Sequence, residues 1–172
     1  MEEKKKRDNK HYLRDFQENP DGSYVYTGKT WHADGALRRR ILGKLWALQA
    51  VMLFSVFMPG FMTTAGLLNT FYVIIPYVFW LISDFILAYS LGSMTFGGNP
   101  LKNYIYERSV LKYPFCTVLS LVCAALTATA LLIFLLRGGS GDGAAACFIC
   151  CGIQIIASFF AGRSGISDIW TD

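Results

Sequence analysis

Four long apolar stretches, separated by short polar connections, follow the first 40 residues of the chain. The hydrocarbon core of a bilayer is about 30 Å thick, and a helix needs roughly 20 apolar residues to cross it. The four stretches reach that length at about residues 43–62, 69–92, 115–136 and 144–162. The pattern therefore predicts an all-α integral membrane protein built as a bundle of four transmembrane helices.

Two prolines fall inside the predicted spans. Pro59, followed by Gly60, lies near the end of the first span, where it is expected to break the helix. Pro76 interrupts the second span. A proline lacks the backbone N–H that an inner helical position uses, so we expect the second helix to bend there.

Charge divides the chain into two parts. Residues 1–40 carry most of the 28 Lys, Arg, Asp and Glu side chains, whereas residues 41–172 are mostly apolar. The whole chain is 53% hydrophobic and 16% charged, with a mean hydropathy of +0.37. This composition excludes an ordinary soluble domain, which spreads charge over every surface element. We expect a basic N-terminal segment followed by the membrane bundle, with the first span acting as an uncleaved anchor.

The orientation follows from the Lys and Arg residues, which resist translocation when they lie in short loops. With four spans, 15 of the 16 basic residues lie on the same side as the N-terminus, and Arg137 alone lies on the other. The sequence therefore predicts that both termini are cytoplasmic. We expect this membrane to be the plasma (inner) membrane.

The N-terminal segment contains weaker signals of local structure. Residues 9–18 could form a short helix, and Asn19-Pro20-Asp21-Gly22 has the composition of a turn. Residues 23–27 have strand-like side chains, and we expect them to pair with residues 30–32 through a turn at Gly28-Lys29. An isolated hairpin is marginally stable in water, so it would need the bilayer, the inner loop or a partner to stay ordered.

The loop between the second and third spans predicts an interfacial helix. Over residues 101–112, apolar side chains gather near one helical face, and Lys102 and Arg108 flank it. A helix of this kind lies in the plane of the membrane surface. Directly before the first span, Arg38, Arg39 and Arg40 could contact anionic lipid headgroups, or they could act only as a topology signal.

Three polar residues inside the predicted spans are candidates for function: Asp84, Gln49 and Gln154. An ionised carboxylate in a bilayer is costly, so Asp84 is expected to face the bundle interior or a wet cavity. It could be the titrating group of a small transporter. It could equally be held by a hydrogen bond from Gln49, Gln154 or a hydroxyl. In the third span, Ser120, Ala124 and Ala128 recur at intervals of four and predict close helix packing.

Five cysteines lie in the third and fourth spans. Cys147-Phe148-Ile149-Cys150 is a C-x-x-C motif at the outer end of the last of four spans. In that position it resembles the vitamin K epoxide reductase family, and the resemblance implies a quinone-linked thiol redox enzyme using Cys147 and Cys150. That family also has a cysteine pair in an outer loop, and the two outer loops of this chain contain no cysteine.

The chain contains no motif for catalysis, metal binding or a cofactor, and its basic and aromatic residues do not interleave as in nucleic-acid-binding proteins. Both histidines, His11 and His32, precede the spans. The leading hypothesis is a non-enzymatic accessory or assembly component that contacts a membrane-protein partner through its cytoplasmic face. The alternatives are a small transporter or channel that is complete only as a homo-oligomer and uses Asp84, and the thiol redox enzyme.

Overall fold

The computed structural model describes residues 16–19, 21–62, 70–139, 141 and 143–171. Four helices in this part of the chain are long and apolar enough to cross a membrane. They are α1 (Gly35–Phe61), α2 (Phe71–Phe96), α3 (Tyr113–Leu136) and α4 (Ala144–Gly162). The protein is therefore an all-α, four-helix membrane bundle, and this part of the prediction is confirmed.

The helices differ from the predicted spans mainly at their ends and at the prolines. The helix α1 begins within the predicted N-terminal segment, where the side chain of Asp34 accepts a hydrogen bond from the amide of Ala36. It continues through Pro59, and α2 continues through Pro76. The expected break at Pro59 is wrong, because a proline removes one hydrogen bond without ending a helix that its neighbours hold in place.

The four helices form a closed ring in which α1 packs on α2, α2 on α3, α3 on α4 and α4 on α1. Large apolar side chains such as Phe79, Leu126 and Ile156 are exposed on the outside of the ring, where a lipid environment suits them. The interior holds two hydrophobic clusters, one in each half of the bundle. Between them lies a layer of polar side chains.

Five short strands lie at one end of the bundle: β1 (Phe16–Glu18), β2 (Tyr24–Tyr26), β3 (Thr30–Ala33), β4 (Leu101–Lys102) and β5 (Trp170–Thr171). The strands β1 and β2 form an antiparallel hairpin. The strand β3 is central to a second sheet, pairing antiparallel with β4 at Thr30 and Trp31 and with β5 at His32 and Ala33.

The pairing of these strands corrects the predicted hairpin. The strand at residues 24–26 pairs with β1, which precedes it in the chain, and not with residues 30–32. Residues 16–18 are extended and not helical, and residues 9–15 of the predicted helix lie outside the described part. Gly22 lies between β1 and β2 and has a φ of +75°. Glycine adopts this left-handed conformation without a steric penalty, which allows the chain to reverse direction between the two strands.

The loop after α2 also differs from the prediction of a single helix over residues 101–112. Residues 101 and 102 form β4, and a helical stretch follows that is α-helical at Asn103–Ile105 and π-helical at Tyr106–Val110. Pairing with β3 gives the backbone of residues 101 and 102 a partner that a separate helix would not have. We call the five strands together with residues 103–110 the platform, and the bundle end that carries them the platform end.

Candidate functional site

Asp84 lies at the centre of the polar layer between the two hydrophobic clusters. Its neighbours on α2 belong to different clusters, Trp80 to one and Leu87 to the other. The same holds for Ser120 on α3 and Gln154 on α4, each of which lies between residues of the two clusters. Asp84, Ser120 and Gln154 are all 0% exposed, so the layer is sealed from solvent and lipid.

The carboxyl group of Asp84 is held by two neutral side chains from two other helices. The hydroxyl of Ser120 donates to Oδ1 at 2.5 Å. The amide Nε2 of Gln154 donates to Oδ1 at 2.8 Å and to Oδ2 at 3.0 Å. The same Nε2 lies 2.6 Å from the Ser120 hydroxyl oxygen. Helices α2, α3 and α4 therefore meet at one carboxyl group.

Gln49 brings the remaining helix into this layer through the backbone. Its Nε2 donates to the main-chain oxygen of Asp84 at 3.1 Å. Gln49 therefore contacts the backbone of Asp84, whereas Ser120 and Gln154 contact its carboxyl group. The side-chain oxygens of Gln49 and Gln154 are buried and have no hydrogen-bond partner in the described part of the chain. The layer thus has unused acceptors beside its carboxyl group.

The structure brings together all three intramembrane residues selected from the sequence and adds Ser120. The sequence indicated Ser120 only as a small residue favouring close packing. Its hydroxyl could have been selected by matching its depth in the third span to that of Asp84. Chemically, the layer can bind a proton at the carboxyl group or fix the rotation of the helices about their axes.

The three arginines before the first predicted span lie in three different environments. The half-buried Arg38 donates from Nη2 to the backbone oxygens of Met94 and Thr95, at 2.8 and 3.2 Å. Arg39 is exposed and donates to the backbone of Gly35 on its own helix. Arg40 is exposed and lines a groove beside α4. The triplet is therefore not one continuous basic patch. Within the described residues, Nη2 of Arg38 donates inside the protein, whereas its buried Nε has no hydrogen-bond partner.

The platform joins three segments that are far apart in the sequence. The ring of Trp31 on β3 stacks on that of Tyr106, with centroids 4.0 Å apart, and its Nε1 donates to the side chain of Asn103 at 2.9 Å. Asn99 donates to the backbone oxygen of Ala33 at 2.8 Å and accepts from the amide of the same residue at 3.3 Å. These contacts fix β3 on the loop after α2.

The β1–β2 hairpin is attached to the platform mainly through Tyr26. Its hydroxyl accepts a hydrogen bond from the amide of Asn103 and donates to the backbone of Lys29, each at 3.0 Å. Its ring lies edge-on to Tyr104, with 6.2 Å between centroids. The ammonium group of Lys102 lies 5.5 Å from the centre of the same ring, within cation–π range. The hairpin is thus part of one ordered surface.

All five cysteines are buried and carry free thiols, Cys147 and Cys150 included. Cys147, Cys150 and Cys151 lie in the hydrophobic cluster on the far side of the polar layer from the platform. Among the described residues, no group of three or more His, Cys, Asp or Glu side chains is placed to bind a metal ion.

No protein-family model, curated protein or solved structure matches this chain.

Proposed function

We propose that this protein is a non-enzymatic accessory or assembly component of the membrane that binds a partner protein through its platform. The observation that carries the proposal is the construction of the platform from three distant segments, joined by β3 and by the stacking of Trp31 on Tyr106. A surface ordered in this way loses little conformational entropy on binding, which favours recognition.

The hairpin is the part of the platform best suited to a partner. Tyr24 and Val25 lie on β2, outside the lipid-facing part of the bundle, yet they are 65% and 46% exposed. Within the described residues, β1 and β2 form a two-stranded sheet, to which a strand of a partner could be added. Aromatic side chains of this kind are enriched at protein interfaces.

The platform faces the cytoplasm in this proposal. Support comes from the distribution of charge, since 15 of the 16 Lys and Arg residues lie at the platform end or in the segment leading to it. The protein would reside in the plasma (inner) membrane, with its partner either another membrane protein or a soluble protein docked on the inner surface of that membrane.

Site-specific photo-crosslinking tests the proposal. A benzophenone amino acid in place of Tyr24 should form a covalent adduct with one discrete protein when cells are irradiated. The matched control is the same amino acid in place of Phe79, which is 60% exposed on α2 and should react with lipid. Adducts with lipid alone at position 24, in cells that contain the full-length protein, would contradict the proposal.

The second candidate function is a small oligomeric transporter or channel that uses Asp84. It is favoured by the convergence of Asp84, Ser120 and Gln154 in the middle of the bundle, where a proton or cation would have to pass. Since Asp84 is 0% exposed, such a protein would have to open a path to it during each cycle. Proton or cation flux in proteoliposomes separates this candidate from the first.

A further inference from the structure

A groove of about 740 Å³ lies between α1 and α4 at the platform end. Three basic side chains line it: Arg40 and Lys44 from α1, and Arg163 from the residue that follows α4. The rest of its lining is apolar except for Ser164. The basic residues are up to 123 positions apart in the sequence, and only the packing of α1 on α4 brings them together.

The polar groups of this groove have few partners within the protein. Arg40, Lys44 and Arg163 are exposed, and within the described ranges none of them forms an ion pair with a carboxylate. The guanidinium group of Arg163 rests on the ring of Phe159, at 5.3 Å from its centre. The hydroxyl of Ser164 is buried and has no hydrogen-bond partner among the described residues. The groove therefore offers three exposed positive charges.

The charges and the apolar surface of the groove are arranged along the membrane normal. Arg40, Lys44 and Leu48 lie at intervals of four on one face of α1, so each is about 6 Å deeper into the bundle than the last. On α4, Phe160 lies about one turn deeper than Ser164 and is 60% exposed. Positive charge thus lies at the membrane surface, and apolar surface lies directly below it.

We propose that this groove binds one anionic glycerophospholipid. Its phosphate is held by Arg40, Lys44 and Arg163, and an acyl chain lies on Leu48 and Phe160. Basic pockets between transmembrane helices recognise anionic headgroups in this way. A zwitterionic lipid binds more weakly, because its ammonium group lies near three cations.

Native mass spectrometry of the full chain in detergent tests this inference. Phosphatidylglycerol should bind in preference to phosphatidylcholine. The double variant Arg40→Gln, Arg163→Gln should lower its apparent affinity by at least about tenfold, since each basic residue near a headgroup contributes roughly a fivefold factor. The variant Ala47→Trp keeps every charge but fills part of the groove lining, and it should also weaken binding.

The matched control is the double variant Arg39→Gln, Arg108→Gln, which loses the same charge outside the groove and should change the affinity less than about twofold. An equal loss in this control would show diffuse surface attraction and overturn the inference. Equal binding of phosphatidylcholine would also overturn it, as would unchanged binding to Ala47→Trp. Release of a co-purifying protein by Arg40→Gln, Arg163→Gln, with lipid binding unchanged, would assign the groove to that protein instead.

Discussion

Among the described residues, Asp84 is the one acidic side chain that is buried inside the bundle. Both of its carboxyl oxygens accept a hydrogen bond from the side-chain amide of Gln154, and Oδ1 also accepts one from the hydroxyl of Ser120. Turning the Gln154 amide by half a turn would place its oxygen 2.8 Å from the carboxyl group, a distance suited to a protonated acid that donates. The same three residues can therefore hold either protonation state.

This property leads to a prediction for two substitutions at position 84. Asp84→Asn keeps the volume and can pair with a reversed Gln154 amide, so the free energy of unfolding in detergent should change little. Asp84→Leu leaves the polar groups of Ser120 and Gln154 without their partner, and it should destabilise the protein by roughly 0.6–2 kcal/mol. The variant Gln154→Leu serves as a control, and the double variant should cost less than the sum of the two single variants.

The same variants distinguish the two candidate functions. We expect no proton or cation flux in proteoliposomes containing the wild type, Asp84→Asn or Asp84→Leu. A transporter that needs the carboxyl group to gain and lose a proton would be inactivated by Asn, because an amide does not titrate in this range. Wild-type flux that disappears in a stable Asp84→Asn variant would refute the accessory function and support the alternative.

At the scale of elements, the end of α2 is held by a side chain from α1. Arg38 donates to the last backbone oxygens of α2 while its guanidinium group lies 5.6 Å from the centre of the Trp170 ring. A cation at a helix C-terminus also interacts favourably with the helix dipole. One residue therefore links α1, α2 and the segment that carries β5.

We predict that Arg38→Met destabilises the protein by about 1–3 kcal/mol, because it removes charge-assisted hydrogen bonds to two half-buried carbonyls. Thermal unfolding in detergent measures the loss. Hydrogen exchange should also accelerate at residues 94–102 and 170–171. The matched control, Arg39→Met, removes an exposed neighbour with the same charge and should change stability by less than about 0.5 kcal/mol. Equal effects in the two variants would show that Arg38 does not hold the end of α2.

The long helices could be predicted from the sequence, whereas the platform could not. A helix satisfies all its inner backbone hydrogen bonds locally, so an apolar stretch of sufficient length determines a span by itself. Thr30–Ala33, by contrast, finds its partners about 70 and 140 residues away, in two-residue strands that carry no periodic signal. Because the pairing of residues 101 and 102 with β3 has no local signal, the sequence predicted a single helix over residues 101–112.

The polar layer was predictable in part. A lone acidic residue in an apolar span requires a buried partner, and this argument selected Gln154 as well as Asp84. It could not separate the role of Gln49, which contacts the backbone of Asp84, from that of Ser120, which contacts the carboxyl group. That distinction depends on how the four helices rotate about their axes, which is set by packing throughout the bundle.

At the scale of the whole molecule, the platform end and the opposite end should be accessible from different sides of the membrane. The five native cysteines are buried, so single introduced cysteines at exposed positions can be labelled against a low background. With a membrane-impermeant maleimide, Gly141→Cys should react in intact cells. Leu111→Cys and Thr171→Cys should react only after permeabilisation. Labelling of Leu111→Cys from outside would overturn the proposed orientation.

The pairing of β3 with β4 and β5 also has a consequence for biosynthesis. The strand β3 leaves the ribosome before any span, its first partner follows α2, and its second partner follows α4. The sheet is therefore completed only when all four helices have been inserted with the correct topology, since a missed insertion would leave β5 on the other side of the bilayer. Until then β3 exposes unpaired edges, which chaperones and proteases recognise. Pairing of β3 with β5 thus depends on insertion of the last helix, and an unpaired β3 would distinguish an incompletely inserted chain from a complete one.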